Sequence, residues 1–390
     1  MKDQEEQIIT SAMDTDFYKV TMQKGVFHQY PKTQVEYTFT CRDKGVKLGF
    51  LAEKVNRQVK MMENLKLTEK EENFLRSIRF MTSDYIDFLK NFRFDSNRVK
   101  AIDHDGNLEI TISGLWLDTI LYEVPLLAIV SELYFRETSN FEELKQEGIN
   151  RLNKKIELIN QYRLPLVDMG TRRRYSAEWQ DYVVGRLASE CESFIGTSNV
   201  YLAMKYNIKA IGTQAHEWFM AHLGLVDNIR EAQKRALYVW LQEYGTDLGI
   251  ALTDTFTTKA FFKDFDLTLS TTFSGMRCDS GDDPVFFGNE AIDHYKGFNI
   301  NPRTKDLIFS DSLNIPKAIA IFLQLIQKIK TSYGIGTDLM NDLSIKALNI
   351  VIKLSMSNGV WVTKLSDSPG KTMGNLELAK EIKRLYDIQD

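Results

Sequence analysis

The sequence predicts an α/β protein built on an irregular seven-stranded β/α barrel, with an N-terminal α+β domain that strands from the C-terminal end rejoin or that those strands abut at the barrel rim. Three observations carry this. Between residues 164 and 333, short apolar runs alternate with amphipathic stretches seven times, the rhythm of parallel strands joined by helical crossovers. Polar residues follow almost every run. Such spacing suits a barrel, whose strand ends all open on one face, better than an open doubly wound sheet with a single crevice. Finally, 390 residues with 43% apolar content can fill more than one core.

Residues 13–27 have an Asp/Thr start followed by helically spaced apolar positions, and so read as a capped helix. Val35 to Thr40 alternates as a strand. Residues 48–92 are helical and heavily charged, and 99–102 with 108–112 form a hairpin around D-H-D-G-N. This first unit spans 1–122. The barrel unit, 123–345, opens with long helical patterns at 125–137 and 141–162. Its strands are expected at 164–167, 193–195, 210–211, 250–252, 275–277, 307–309 and 331–333. Helices are expected near 176–190, 199–206, 215–223, 257–264, 286–296 and 314–328. Residues 346–390 return to strands around a Ser357-Asn358-Gly359 turn and close with a helix over 375–387.

With 49 basic and 53 acidic residues the net charge is −4, so nothing global recruits nucleic acid or an anionic membrane, and a small molecule is the expected partner. Cys41, Cys191 and Cys278 are odd in number and far apart, against a disulfide framework and in keeping with the cytoplasm. The N-terminus M-K-D-Q-E-E-Q lacks an apolar leader, and no run of apolar residues could span a bilayer.

Gly-Thr recurs after four expected strands, at 170–171, 196–197, 212–213 and 336–337. Glycine admits close approach and threonine adds N–H and hydroxyl, both suited to phosphate, although Gly-Thr also simply punctuates turns. Arg172-Arg173-Arg174 sets three bidentate phosphate binders after one strand; a solvated basic face stays open, and at least one arginine should point outward. Arg277 and Asp279, two apart on a strand, share a side and could hold a carboxylate, a ribose diol or a Mg²⁺-bound water; a structural ion pair is the rival reading. Asp279, Asp282 and Asp283 specify no metal site by spacing, so the metal ligands stay unknown. His216 opens a helix close to Thr213 and could act as a base or accept a phosphoryl group, while a buried structural histidine is the commoner case. His28, His104, His222 and His294 form no pattern. Ser368-Pro369-Gly370-Lys371-Thr372 ends like a phosphate loop but has Leu365 where the first glycine belongs; Lys371 could still meet phosphate.

Together T-D-F-Y-K-V-T-M (15–22), G-T-R-R-R-Y-S (170–176), G-T-S-N-V (196–200), G-T-Q-A-H-E-W (212–218), L-T-D-T (252–255), R-C-D-S-G-D (277–282), F-S-D-S-L (309–313), Y-G-I-G-T (333–337) and K-L-S-D-S-P-G-K-T (364–372) resemble the nicotinate phosphoribosyltransferase family, of type II phosphoribosyltransferase fold. The resemblance implies joining nicotinate to phosphoribosyl pyrophosphate in NAD salvage, coupled to ATP hydrolysis with Mg²⁺, in a cytoplasmic homodimer with sites at the interface. It implies that His216 is transiently phosphorylated and that Asp279 is catalytic. Tyr18 from the neighbouring subunit, Met169, Ser198, Thr213 and Arg277 would surround nicotinate. Arg172, Asp279, Ser310, Asp311, Gly336 and Thr337 would surround phosphoribosyl pyrophosphate. Relatives that use nicotinamide carry an aspartate where Ser198 stands, which favours the acid here, whereas Met169 replaces a stacking phenylalanine and loosens the ring sandwich. Nicotinamide phosphoribosyltransferase and a non-catalytic phosphate-binding scaffold are the alternatives.

Overall fold

The computed structural model describes residues 6–281, 283–367 and 372–388. Lys371, Asp282 and most of the 368–372 stretch therefore lie outside the described residues.

The N-terminal strands are β1 (Gln34–Cys41), β2 (Val99–His104) and β3 (Asn107–Leu115). Alternation in β1 buries Val35, Tyr37 and Phe39. The β2–β3 hairpin turns through Asp105 and Gly106, both at positive φ (52° and 80°), the backbone a tight Asp-Gly turn demands. Seven parallel strands follow: β4 (Leu166–Asp168), β5 (Phe194–Thr197), β6 (Lys209–Ala210), β7 (Ile250–Leu252), β8 (Gly275–Cys278), β9 (Asp306–Phe309) and β10 (Lys330–Ile335). Each overlaps an expected strand. Then β11 (Ile350–Ser357) and β12 (Val360–Trp361) pair back on the first unit, giving the order β12-β11-β1-β3-β2. The C-terminal strands thus rejoin the N-terminal sheet.

The parallel ladder runs β6-β5-β4-β10-β9-β8-β7. Its first strand, β4, pairs with its last, β10, which is the closing seam of a barrel and not the order of a doubly wound sheet. The ladder is open elsewhere, between β6 and β7, which share no pairing among the described residues. Their connection carries helices His216–Ala221 and Ala232–Tyr244; the second was not expected from the sequence, nor was the short helix Leu267–Thr272.

Helix Phe17–Gln29 lies against that connection. Thr21 Oγ1 donates to Thr213 O at 2.7 Å, Tyr244 OH donates to Thr21 O at 2.5 Å, and Gly25 leaves room for the Trp218 ring. The helix begins four residues later than expected because 13–16 is turn and loop held to the start of the 200–206 helix: Val200 N donates to Thr15 O and Tyr201 N to Met13 O. Buried Lys19 bridges Glu123 (2.5 Å) and Glu217, and Glu217 also accepts from Tyr37 OH (2.7 Å) and Trp116 Nε1 (2.6 Å). These bonds tie the first unit to the barrel, because a buried ion pair left short of one partner is strongly destabilised.

Candidate active site

The loops leaving β4, β8, β9 and β10 open on one cavity of about 490 Å³, and the β1–β11 face of the other sheet closes it from across. Arg172, Met169, Gly170, Asp279, Ser310, Asp311, Gly336, Thr337, His216 and Arg277 all line it. A smaller chamber of about 50 Å³ continues inward past Tyr18, Glu123, Glu217 and Met220, sharing Arg172, His216, Arg277, Asp279 and Lys353 with the outer cavity.

His216 opens its helix, as expected, and is buried. Its Nδ1 is 3.0 Å from Thr255 Oγ1, and its Nε2 is 3.1 Å from Asp279 Oδ2 and 2.8 Å from Lys364 Nζ. One nitrogen therefore faces an acceptor and a donor, and a neutral ring can satisfy only one of them. Burial, then the Lys364 ammonium, push the imidazole down to about 4, so it is neutral at physiological pH. Lys364 is also paired with Asp254 at 3.1 Å.

The spacing of Arg277 and Asp279 does place them together, 3.5 Å apart. Asp279 accepts from Ser310 Oγ at 2.5 Å, and Arg277 donates to Gln214 O at 2.9 Å and to Ser310 Oγ at 3.3 Å. Burial works to raise the Asp279 carboxyl, yet Arg277 and the other cations hold it well below the ordinary carboxylate range. Arg172 faces Asp16 (3.8 Å) and Glu123 (3.7 Å), with its guanidinium 5.9 Å from the Tyr18 ring centre.

Several expectations change. Tyr18, expected from a neighbouring subunit, lines the inner chamber of its own chain: the 13–17 segment is tied by backbone bonds to 198–201 of the same chain, including Phe17 N to Ser198 O at 2.6 Å. Ser198 and Thr213 do not line either cavity. Ser198 donates to Asp16 at 2.8 Å and Thr213 accepts from Thr21, so both brace the Tyr18 helix. Among the Gly-Thr pairs, Thr171 and Thr197 are wholly buried, bonded to Gln180 and Asp168, and only Gly170 and Gly336-Thr337 reach the cavity. The three arginines part ways: Arg174 is buried in a two-pronged bond to Asp14, both contacts 2.8 Å, while Arg172 and Arg173 are partly exposed and line the cavity.

Lys364, Lys353 and Arg42 were not singled out from the sequence, though all three line the cavity. A lysine inside the apolar run Ile350-Val351-Ile352-Lys353-Leu354 was the available signal. Among the described residues, no three Asp, Glu, His or Cys side chains gather as a metal cage. Nor is any helix long and apolar enough to cross a membrane.

A strand-end cavity set with hydroxyls, guanidinium groups and one neutral buried imidazole belongs to a β/α-barrel enzyme that handles a phosphorylated small molecule. Sequence and structure comparisons make the class specific. Residues 164–390 match the model of the nicotinate phosphoribosyltransferase (NAPRTase) family, and residues 13–131 match its N-terminal domain. Nicotinate phosphoribosyltransferase of Xanthomonas euvesicatoria is 44% identical over 374 residues, covering 94% of each chain; that of Photorhabdus laumondii is 44% identical over 393 residues, covering 98% of this chain and 96% of its own. The crystal structure of nicotinate phosphoribosyltransferase from Porphyromonas gingivalis superposes with a TM-score of 0.92 at 36% identity, covering 98% of this chain and all of the other. That from Vibrio cholerae gives 0.93 at 33% identity, covering 99% and 95%. The chain belongs to the nicotinate phosphoribosyltransferase family.

Proposed function

We propose that this chain joins nicotinate to phosphoribosyl pyrophosphate, releasing nicotinate mononucleotide and pyrophosphate for NAD salvage in the cytoplasm, and that ATP hydrolysis is coupled to the reaction through His216. The observation that carries the reading is the neutral imidazole of His216 set at the junction of two chambers, one rimmed by Tyr18 and one by Ser310, Asp311, Gly336 and Thr337.

In the transfer, the pyridine nitrogen attacks C1 of the ribose while the bond from C1 to the pyrophosphate oxygen breaks, and pyrophosphate leaves with the electron pair. Positive charge develops on the ribose, so placement and charge complementarity supply more than a strong nucleophile would. Asp279 can face the developing cation, and Arg172 can hold phosphate oxygens. Asp279 or Asp311 would hold Mg²⁺ bound to the polyphosphate, and the ion would offset charge on the leaving pyrophosphate. In the coupled step, a ring nitrogen of His216 attacks the γ-phosphorus and ADP departs; water later returns the phosphoryl group as phosphate. A phosphoryl group there would add negative charge beside Lys364 and Arg277 and could order the loops around substrate.

The homodimer is also proposed, on the resemblance alone, and sedimentation measures it directly. The central test is incubation with γ-labelled ATP followed by mapping of acid-labile label. Label on His216 supports the coupling, and its absence removes that part. Turnover with nicotinate and nicotinamide at equal concentration decides the base: preference for the amide refutes the reading, and no pyrophosphate release with either leaves a scaffold.

A further inference from the structure

We propose that Lys353 is the specificity-determining cation that receives the carboxylate of the pyridine acid. The proposal rests on the nicotinate reading above and goes beyond it in naming the residue that tells acid from amide.

The other cations near the inner chamber are each engaged by groups of the chain. Arg172 faces Asp16 and Glu123; Arg277 is engaged by Asp279, Ser310 and the Gln214 carbonyl; Lys364 is held by Asp254 and His216; Lys19 is bridged to Glu123 and Glu217. Lys353 lines both chambers, and its ammonium has no hydrogen-bond or ion-pair partner among the described residues. Glu123 and Asp279 act on this ammonium only at a distance, and a cavity cation with no acid in direct contact is stabilised by an anion from outside the chain. The neighbouring walls choose which anion. Tyr18, Ile352, Leu354 and Met220 give the inner chamber a flat aromatic and aliphatic lining fit for a ring, while Glu123 and Glu217 would repel a carboxylate that no free cation offset. An amide carries no charge for Lys353 to neutralise.

Burial also lowers the Lys353 ammonium to about 8, with Glu123 opposing. The charged groups facing it are Glu123 from helix Glu123–Thr138, Arg172 from the loop after β4, Asp279 from the loop after β8, and Lys364 beyond β12, with His216 lining the same chambers. The ammonium is charged below pH 8 and its attraction for an acid is lost as pH rises through that value; a guanidinium in its place stays charged.

The test is steady-state kinetics on the full-length chain. In Lys353→Met the KM for nicotinate should rise about tenfold or more, with the KM for phosphoribosyl pyrophosphate within about twofold and competitive inhibition by nicotinamide unchanged. Lys353→Arg should restore most of the affinity. In the wild type the KM for nicotinate should climb above pH 8 and stay flat in Lys353→Arg, a comparison that holds even if Lys353→Met does not fold. A rise confined to phosphoribosyl pyrophosphate assigns Lys353 to phosphate and overturns the proposal. Equal losses for acid and amide, or the same pH slope in wild type and Lys353→Arg, overturn it as well. A wild-type chain that releases no pyrophosphate sinks the underlying reading, whereas normal turnover with an unaltered nicotinate KM in Lys353→Met sinks only this assignment.

Discussion

Lys364 Nζ lies 2.8 Å from His216 Nε2, closer than the carboxylate of Asp279 that faces the same nitrogen. The ammonium asks for a lone pair there and the carboxylate asks for a proton. Removing Lys364 leaves that nitrogen facing carboxylates, Asp279 at 3.1 Å and Asp254 at 3.8 Å. In Lys364→Met, nitrogen-15 NMR should therefore show the ring proton on Nε2, and the His216 pKa should rise from about 4 by about one to two units, because a like charge has gone. An unmoved pKa would mean that burial alone keeps the ring neutral.

Tyr18 and His216 line the same small chamber of a single chain. Mixing Tyr18→Ala protein with His216→Ala protein should accordingly recover no activity, since neither chain holds both groups. Recovery toward a quarter of wild-type turnover would place Tyr18 across an interface. The hydroxyl of Tyr18 is buried without a hydrogen-bond partner among the described residues, so Tyr18→Phe should retain nicotinate affinity while Tyr18→Ala raises the KM about tenfold.

Gly212 presses on the backbone that presents Tyr18: a Cβ there would stand 2.6 Å from the Tyr18 nitrogen. Gly212→Ala must shift that helix start. A nicotinate KM raised about three- to tenfold is expected, by the same ring-misplacement argument as for other positioning changes. Gly297, where a Cβ meets nothing within 4 Å, supplies the control, and Gly297→Ala should leave the KM unchanged.

His222 is buried against Trp218 O (2.7 Å) and Tyr30 OH (3.1 Å), and burial holds its pKa at about 4, below the ordinary 6.5. The folded chain thus binds fewer protons than the unfolded one between those values. Stability is complete above pH 6.5 and falls as pH drops toward 4, by about 3 kcal/mol from this residue. Asp168, raised to about 6 chiefly by burial, works the other way over part of the interval. Urea midpoints at pH 7 and 4.5 for wild type and His222→Phe isolate the histidine: the variant should be less stable at pH 7 but show a shallower decline. Parallel declines would refute it.

The strands of the barrel were legible because each is a short apolar run between a helix end and a polar loop, as in Ile250-Ala251-Leu252 before Thr253-Asp254. The joining of first strand to last followed from the same pattern, but the opening between β6 and β7 did not, since a two-residue strand carries no mark of an unpaired edge. Helix Ala232–Tyr244 went unread; no side chain caps its start, which follows a single helical turn at Ile229–Glu231. Within the site, His216, Arg172 and the Arg277–Asp279 pair were readable as polar residues at strand ends. Lys353 and Lys364 were not, because they arrive from the C-terminal strands and meet the barrel only in three dimensions. Residue type alone also could not tell Arg172 from Arg174, whose partner Asp14 is far away in the chain.

The pairing of β1 with β11, with Cys41 opposite Ile350, sets a timetable for the growing polypeptide. A strand made early, β1, must wait for one made far later in the chain, and the late strand brings Lys353, with Lys364 just behind. Long-separated strand pairing is slow and comes after local structure. A fragment released before β11 is made therefore lacks an entire wall of the cavity, and with it Lys353 and Lys364.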